Sequence, residues 1–249
     1  MGSTCSSLWM AHGSNNGGPN AEGVVRYFDL NGSETREPLL FCRAACWEQD
    51  AAIMMLPVSA EQVAAAIDAR SRSGVALVAI DGVGGSGKTT LAMALVELRG
   101  AAVVHGDDFY RPMDAKERVH LDPEEGYHRY FDWQRLREEV LLPLTSGRDA
   151  VYRRYDWITG DLAPGELHRV SASSIVVVEG VYTARPELAD YYDLLVYVDS
   201  LREESLRRLR ERGDDHGPID WESRWRLAEE HYLAATRPEK RAHLVVTGH

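Results

Sequence analysis

The chain has 249 residues, 44% of them hydrophobic, and a formal net charge of −11, enough for one domain of ordinary size with a real core. Its acidic balance, with lysine only at 88, 116 and 240, excludes a general nucleic-acid or membrane-surface binder, which would carry a basic patch. No apolar run approaches the roughly 20 residues of a membrane span, and no cationic stretch leads into an apolar signal core, so no export signal is expected.

Residues 1–54 read as an irregular or disordered N-terminal extension, with a loop-former cluster at Gly13–Asn20 and a candidate strand pair from Val24 to Leu30. Cys5, Cys42 and Cys46 all fall in it, with no second Cys or His pair at a zinc-site spacing. They fit reduced thiols in a cytoplasmic protein. Residues 55–249 form the second expected unit.

Ser59 as N-cap and Gln62 three residues later have the spacing of a capping box, and the apolar period carries a helix to about Ser71. Val75–Asp81 then forms a continuous apolar run, the pattern of a strand buried on both faces of a parallel sheet. Directly after it, Gly82-Val83-Gly84-Gly85-Ser86-Gly87-Lys88-Thr89 spells G-x-x-x-x-G-K-[ST], with Thr90 and an apolar helical run following. Glycines at 82, 84, 85 and 87 permit positive φ angles, so that backbone N–H groups can turn inward around a phosphate. The next helix adds its N-terminal amides, Lys88 can reach the outer phosphates, and the Thr89 hydroxyl can ligate Mg²⁺. A strand before and a helix after are the context this chemistry needs, and the chain is expected to bind a nucleoside triphosphate.

Four more strand-like runs follow, at Ala101–His105, Ile175–Glu179, Asp193–Asp199 and His243–Thr247. Helical patterns at Lys88–Leu98, Asp132–Leu144, Leu201–Arg212 and Ile219–Ala235 separate most of them. The alternation predicts an α/β fold, a five-stranded parallel sheet flanked by helices. Its ligands should sit at the carboxyl ends of the strands. The stretch from about 107 to 174 holds one strong helical pattern and reads as an insertion between the second and third strands that binds the phosphate acceptor.

Residues just past the strand ends carry the chemistry. Asp107 and Asp108 follow the second strand. If that strand neighbours the first, either carboxylate could take the proton of an acceptor hydroxyl; sequence alone does not separate the two. Glu179, at the end of a Val-Val-Val-Glu strand, is placed to hold Mg²⁺ directly or through water. Arginines at 202, 207, 208, 210 and 212 suit a lid, from about 201 to 215, that closes over the triphosphate, or else a solvated helix laced by ion pairs. Tyr127, Tyr130, Trp133, Tyr155 and Trp157 cluster in the insertion, either as core or as a stacking surface for a planar group.

Together these motifs, from about residue 75 to 247, resemble the uridine/cytidine kinase-like P-loop kinases, relatives of phosphoribulokinase and of one pantothenate kinase type. His105-Gly106-Asp107-Asp108-Phe109-Tyr110 is similar to that family's Asp-Ser-Phe-Tyr segment, which implies that Asp107 is the catalytic base and that Tyr110 lies beside the acceptor. Phe131-Asp132 resembles a Phe-Asp pair whose Asp binds sugar hydroxyls, and Val178-Glu179-Gly180 the Mg²⁺-linked Glu-Gly. The run from Arg207 to Gly213 resembles the Arg-containing lid, with Arg207 and Arg212 best placed. Tyr155-Asp156-Trp157 resembles a Tyr-Asp segment lining the acceptor site, but Gly160 stands where the family has a His that helps read a pyrimidine. The resemblance implies ATP and Mg²⁺ as cofactors and a small-molecule acceptor, first a nucleoside 5′-hydroxyl. A sugar, a pantothenate-like alcohol or an antibiotic hydroxyl is the alternative, and a regulatory ATPase without small acceptor a third. No nucleic-acid or membrane partner is expected; a homo-oligomer is compatible with the sequence.

Overall fold

A run of apolar residues ending in Asp, Glu or His recurs along the chain, and each run becomes a strand. The computed structural model describes residues 9–11, 26–28, 34–35, 59–70, 74–165, 167–172, 175–212 and 221–248. Two units divide the chain, Met1–Leu56 and Pro57–His249. In the first, β1 (Trp9–Ala11), β2 (Arg26–Phe28) and β3 (Glu34–Thr35) pair antiparallel in that order. The three cysteines lie outside the described residues.

The second unit opens with α1 (Ala60–Arg70), held at its start by the reciprocal Ser59–Gln62 hydrogen bonds that the spacing predicts. The strand β4 (Ala76–Asp81), the helix α2 (Lys88–Arg99) and the strand β5 (Ala102–His105) follow. After β5 come a 3₁₀ turn (Gly106–Phe109), α3 (Ala115–His120), α4 (Pro123–Arg129), α5 (Trp133–Leu136), a π turn (Arg137–Leu141) and α6 (Leu142–Thr145). The helix expected over Asp132–Leu144 is therefore present as one unbroken helical run, Trp133–Thr145, with a π turn in its middle. The π turn lies just before Pro143, which has no N–H to return to the preceding turn. Two antiparallel hairpin pairs follow, β6 (Ala150–Tyr152) with β9 (His168–Val170) and, inside it, β7 (Tyr155–Asp156) with β8 (Asp161–Leu162). The insertion therefore holds much more structure than the one strong helix legible in its sequence. The chain closes with β10 (Ile175–Glu179), β11 (Leu194–Asp199), α7 (Arg202–Arg212), α8 (Trp221–Thr236), α9 (Pro238–Arg241) and β12 (Leu244–Thr247).

The five long strands form one parallel sheet in the order β12-β11-β4-β10-β5. The condition that the second strand neighbour the first is not met: β10 lies between β4 and β5, and β5 is an edge strand. One face of the sheet is covered by α1 and α2 through Val63, Ile67, Leu91 and Leu95. The other is covered largely by the insertion, through Phe109, Phe131, Leu136, Val140, Leu144 and Tyr152 packed on Leu77, Ala79, Val176 and Val178. Burial of apolar area on both faces is the main force that holds the sheet together. Among the described residues no helix is long and apolar enough to cross a membrane.

Candidate active site

The parallel register brings the ends of β4, β5 and β10 to one edge, and the chemistry-bearing residues meet there. Glu179 pairs in register with Ile80 on one side and with His105 on the other. The loop leaving β4 turns at Gly82, Gly85 and Gly87, which have φ of 148°, 75° and 101°. Gly84 is not among the positive-φ residues. What its position requires is space, because a Cβ there would meet a Leu209 methyl at 3.3 Å. At Gly85 a Cβ would come within 2.3 Å of the Ser205 carbonyl oxygen, so α7 packs against the loop only because that residue is glycine. Gly87 caps α2, whose first turn carries Lys88, Thr89 and Thr90.

Lys88 is only 7% exposed and its Nζ donates to the Val83 carbonyl at 2.8 Å, a position from which an ammonium faces the space inside the loop. Beneath it Asp81 is fully buried, accepting from Gly82 N–H at 2.6 Å, Ala184 N–H at 2.8 Å and the Tyr232 hydroxyl at 2.7 Å. Burial raises the Asp81 carboxyl pKa, and those three donors oppose the shift. Thr89 Oγ1 stands 3.3 Å from Glu179 Oε2, while Glu179 Oε1 is 2.7 Å from His105 Nδ1. The Glu179 hydrogen bond raises the His105 pKa. His105 was legible only as a letter in a motif; the register of β5 on β10 makes it the partner of Glu179.

The two neighbouring aspartates separate clearly. Asp108 accepts from the Tyr152 hydroxyl at 3.2 Å and pairs with Arg154 at 3.5 Å. Asp107 has no side-chain hydrogen bond among the described residues, and its electrostatic neighbours are Glu179, Lys88, His105 and Asp108. Asp107 is an exposed residue whose carboxyl nonetheless loses part of its hydration to the protein around it. That desolvation, reinforced by the charge of Glu179, pushes its pKa up to about 6. So although β5 is not adjacent to β4, Asp107 still lies within the field of Lys88.

Beyond Asp107 the chain pairs antiparallel with the segment leading into α5, Tyr110 bridging to Phe131, which brings Asp132 into the same wall. Asp132 caps α5 by accepting from Arg135 N–H at 3.3 Å and pairs with Arg111 at 3.2 Å. Tyr110 is buried against Trp157 and Trp225, with ring centroids 4.8 Å and 4.9 Å away, and the two indoles lie parallel at 6.1 Å. Tyr155 meets Trp157 edge-on at 5.1 Å, and its hydroxyl accepts from Arg118 at 2.8 Å. Trp225, on α8, was missed in the sequence because nothing local links it to residues 110–157. A Cβ at Gly160 would meet only that Tyr155 hydroxyl, at 3.7 Å.

Of the lid arginines, Arg207 is exposed and held within its own helix by Glu204 and Glu211, whose hydrogen bonds keep its pKa above the ordinary arginine value. Arg208 instead reaches the Gly85 carbonyl at 3.3 Å. Arg212 lines an open depression with Thr89, Thr90, Met93, Ala94 and Glu97. The part of the expected lid from 213 to 215 lies outside the described residues. A second acid also touches the loop: Glu229, on α8, accepts from Gly84 N–H at 2.7 Å.

Residues 77–246 match the model of the phosphoribulokinase/uridine kinase family. Among curated proteins no sequence matches the chain. Among solved structures it is similar to a possible uridine kinase from Bacillus stearothermophilus, with 25% identity, a TM-score of 0.54 and coverage of 74% of this chain and 99% of that one. A protein provisionally assigned as a fructose transport system kinase from a Silicibacter species shares the fold, at 24% identity and a TM-score of 0.55, with coverage of 75% and 98%.

Proposed function

The chain belongs to the phosphoribulokinase/uridine kinase family and is a small-molecule kinase; from that premise we propose that it moves the γ-phosphate of ATP, with Mg²⁺, to a hydroxyl of a small acceptor, first a nucleoside 5′-hydroxyl. The observation that carries the reading is Asp107: a carboxylate without a side-chain hydrogen bond among the described residues, within the field of Lys88 and at the start of an aromatic wall. Phosphoryl transfer needs charge neutralisation, alignment and an acceptor for one proton. In this reading Lys88 and the loop amides neutralise the triphosphate, with Arg212 and Arg207 of α7 assigned to its outer side. Asp107 takes the proton of the acceptor hydroxyl as that oxygen bonds to the γ-phosphorus and the bond to the leaving ADP breaks. Tyr110, Asp132, Tyr155 and Trp157 orient the acceptor.

Mg²⁺ fits the residues present. Thr89 and Glu179 bring a hydroxyl and a carboxylate within 3.3 Å of each other at the loop. Among the described residues no group of three or more His, Cys, Asp or Glu could cage a metal alone, as suits an ion held mostly by phosphate and water oxygens. Bound there, the ion would supply further neutralisation of the phosphate charge.

Since Asp107 accepts a proton only when ionised, kcat/KM should fall as pH drops through about 6 and level off above it. An acid limb centred near the ordinary carboxylate value, or none, would remove Asp107 from the base role. A second reading has specific support: Gly160 brings no side chain to the Tyr155 hydroxyl, which Arg118 engages instead. A pyrimidine is then not read in the uridine kinase manner, and the acceptor is a sugar, a pantothenate-like alcohol or an antibiotic hydroxyl. ADP release measured against a panel of nucleosides and these alcohols tests both. A rise with one acceptor class identifies it; a flat response over steady hydrolysis would favour a regulatory ATPase.

A further inference from the structure

Loop amides around a triphosphate site are normally left for phosphate oxygens. Here one of them is taken by an anion of the protein itself. Glu229 is 9% exposed, and its Oε1 accepts from Gly84 N–H at 2.7 Å. Glu229 stands one helical turn after Trp225, whose ring packs on Tyr110 at 4.9 Å. Tyr110 in turn caps the 3₁₀ turn that holds Asp107. The Gly84 amide therefore lies on the acceptor side of the loop, where a phosphate in line with Asp107 must be the terminal one. The inner phosphates are served by the amides nearer α2.

We propose that Glu229 is a specificity-determining residue that competes with the terminal phosphate for the Gly84 amide, so that the site binds a nucleoside triphosphate less tightly, relative to the diphosphate, than the loop alone would. The inference rests on the loop's being the triphosphate site. Two anions cannot share one N–H in a poorly solvated place without strong repulsion, so a γ-phosphate must push the carboxylate aside. ADP lacks the group that meets it and binds without that cost.

The test is binding of a non-hydrolysable ATP analogue and of ADP, measured separately by calorimetry on the full chain and on Glu229→Gln. Glutamine keeps the length and an acceptor oxygen and removes only the charge. The analogue should bind about tenfold more tightly to the variant, and ADP within about twofold of its native affinity, as expected when one buried like-charge contact is relieved. Thermal melting checks that the variant is folded. If it is not, Glu229→Asp, which withdraws the carboxylate by one methylene, should shift the two ligands in the same sense. An unchanged ratio of the two affinities in the folded variant, or an equal loss of both, overturns the inference. Failure of the native chain to bind either ligand overturns instead the nucleotide site on which it rests.

Discussion

Replacing Lys88 with Ala is expected to abolish triphosphate turnover, a loss of at least ~10³-fold, since one positioned electrostatic group at a reacting centre is commonly worth that much. The ammonium is almost fully enclosed, and the Val83 carbonyl holds it at 2.8 Å inside the loop. No other lysine or arginine stands in the motif to take over its charge. ADP release at saturating acceptor measures the effect, with a thermal melt to show that α2 still forms. Undiminished release would take the loop out of the chemistry.

Asp107→Asn should leave ADP binding close to native and lower the transfer rate by ~10²-fold or more, the usual contribution of a general base. The two losses differ in kind. In the proposed reading Lys88 serves the donor and Asp107 the acceptor, so loss of Asp107 should appear in kcat at saturating nucleotide. Asp108→Asn is the control. That carboxylate is already engaged by Tyr152 and Arg154, and its loss should act through the packing of the insertion. If Asp108→Asn proved the more damaging to transfer, the base would be its neighbour.

What the sequence made legible was whatever depends on neighbours in the chain. Buried parallel strands announce themselves as unbroken apolar runs, and the observed β10 begins and ends where Ile175–Glu179 does. The P-loop pattern likewise joins a strand to a helix through residues that touch one another. Strand order was not legible, because the swap that puts β10 between β4 and β5 leaves each run unchanged. The small hairpins of the insertion were hidden for a related reason: strands of two or three residues carry too little alternation to read. The contacts of α8 were the furthest out of reach. Trp225, Glu229 and Tyr232 are spaced as one helical face, a pattern that reads simply as a packed helix. Only the fold shows that this face meets the Tyr110 ring, the Gly84 amide and the Asp81 carboxylate in turn. Arg207 and Arg208 make the same point on a smaller scale. Adjacent on α7, they face solvent and loop respectively, and no local signal says which is which.

The covering of one sheet face by the insertion bears on how this enzyme could change its substrate. Phe109, Phe131 and Tyr152 sit within a few residues of the acceptor wall, yet each is wholly or almost wholly buried and belongs to the core over Leu77, Ala79 and Val178. Truncating any of them would cost about 3–5 kcal/mol, a large share of what keeps an ordinary domain folded. Evolution toward a new acceptor is thereby confined to a small palette. Ile158, 96% exposed, can drift freely, whereas Arg111, Arg118 and Arg154 are engaged by Asp132, the Tyr155 hydroxyl and Asp108, and Gly160 at a φ of 72° resists any side chain. The rest of the pocket is bound to the stability of the sheet beneath it.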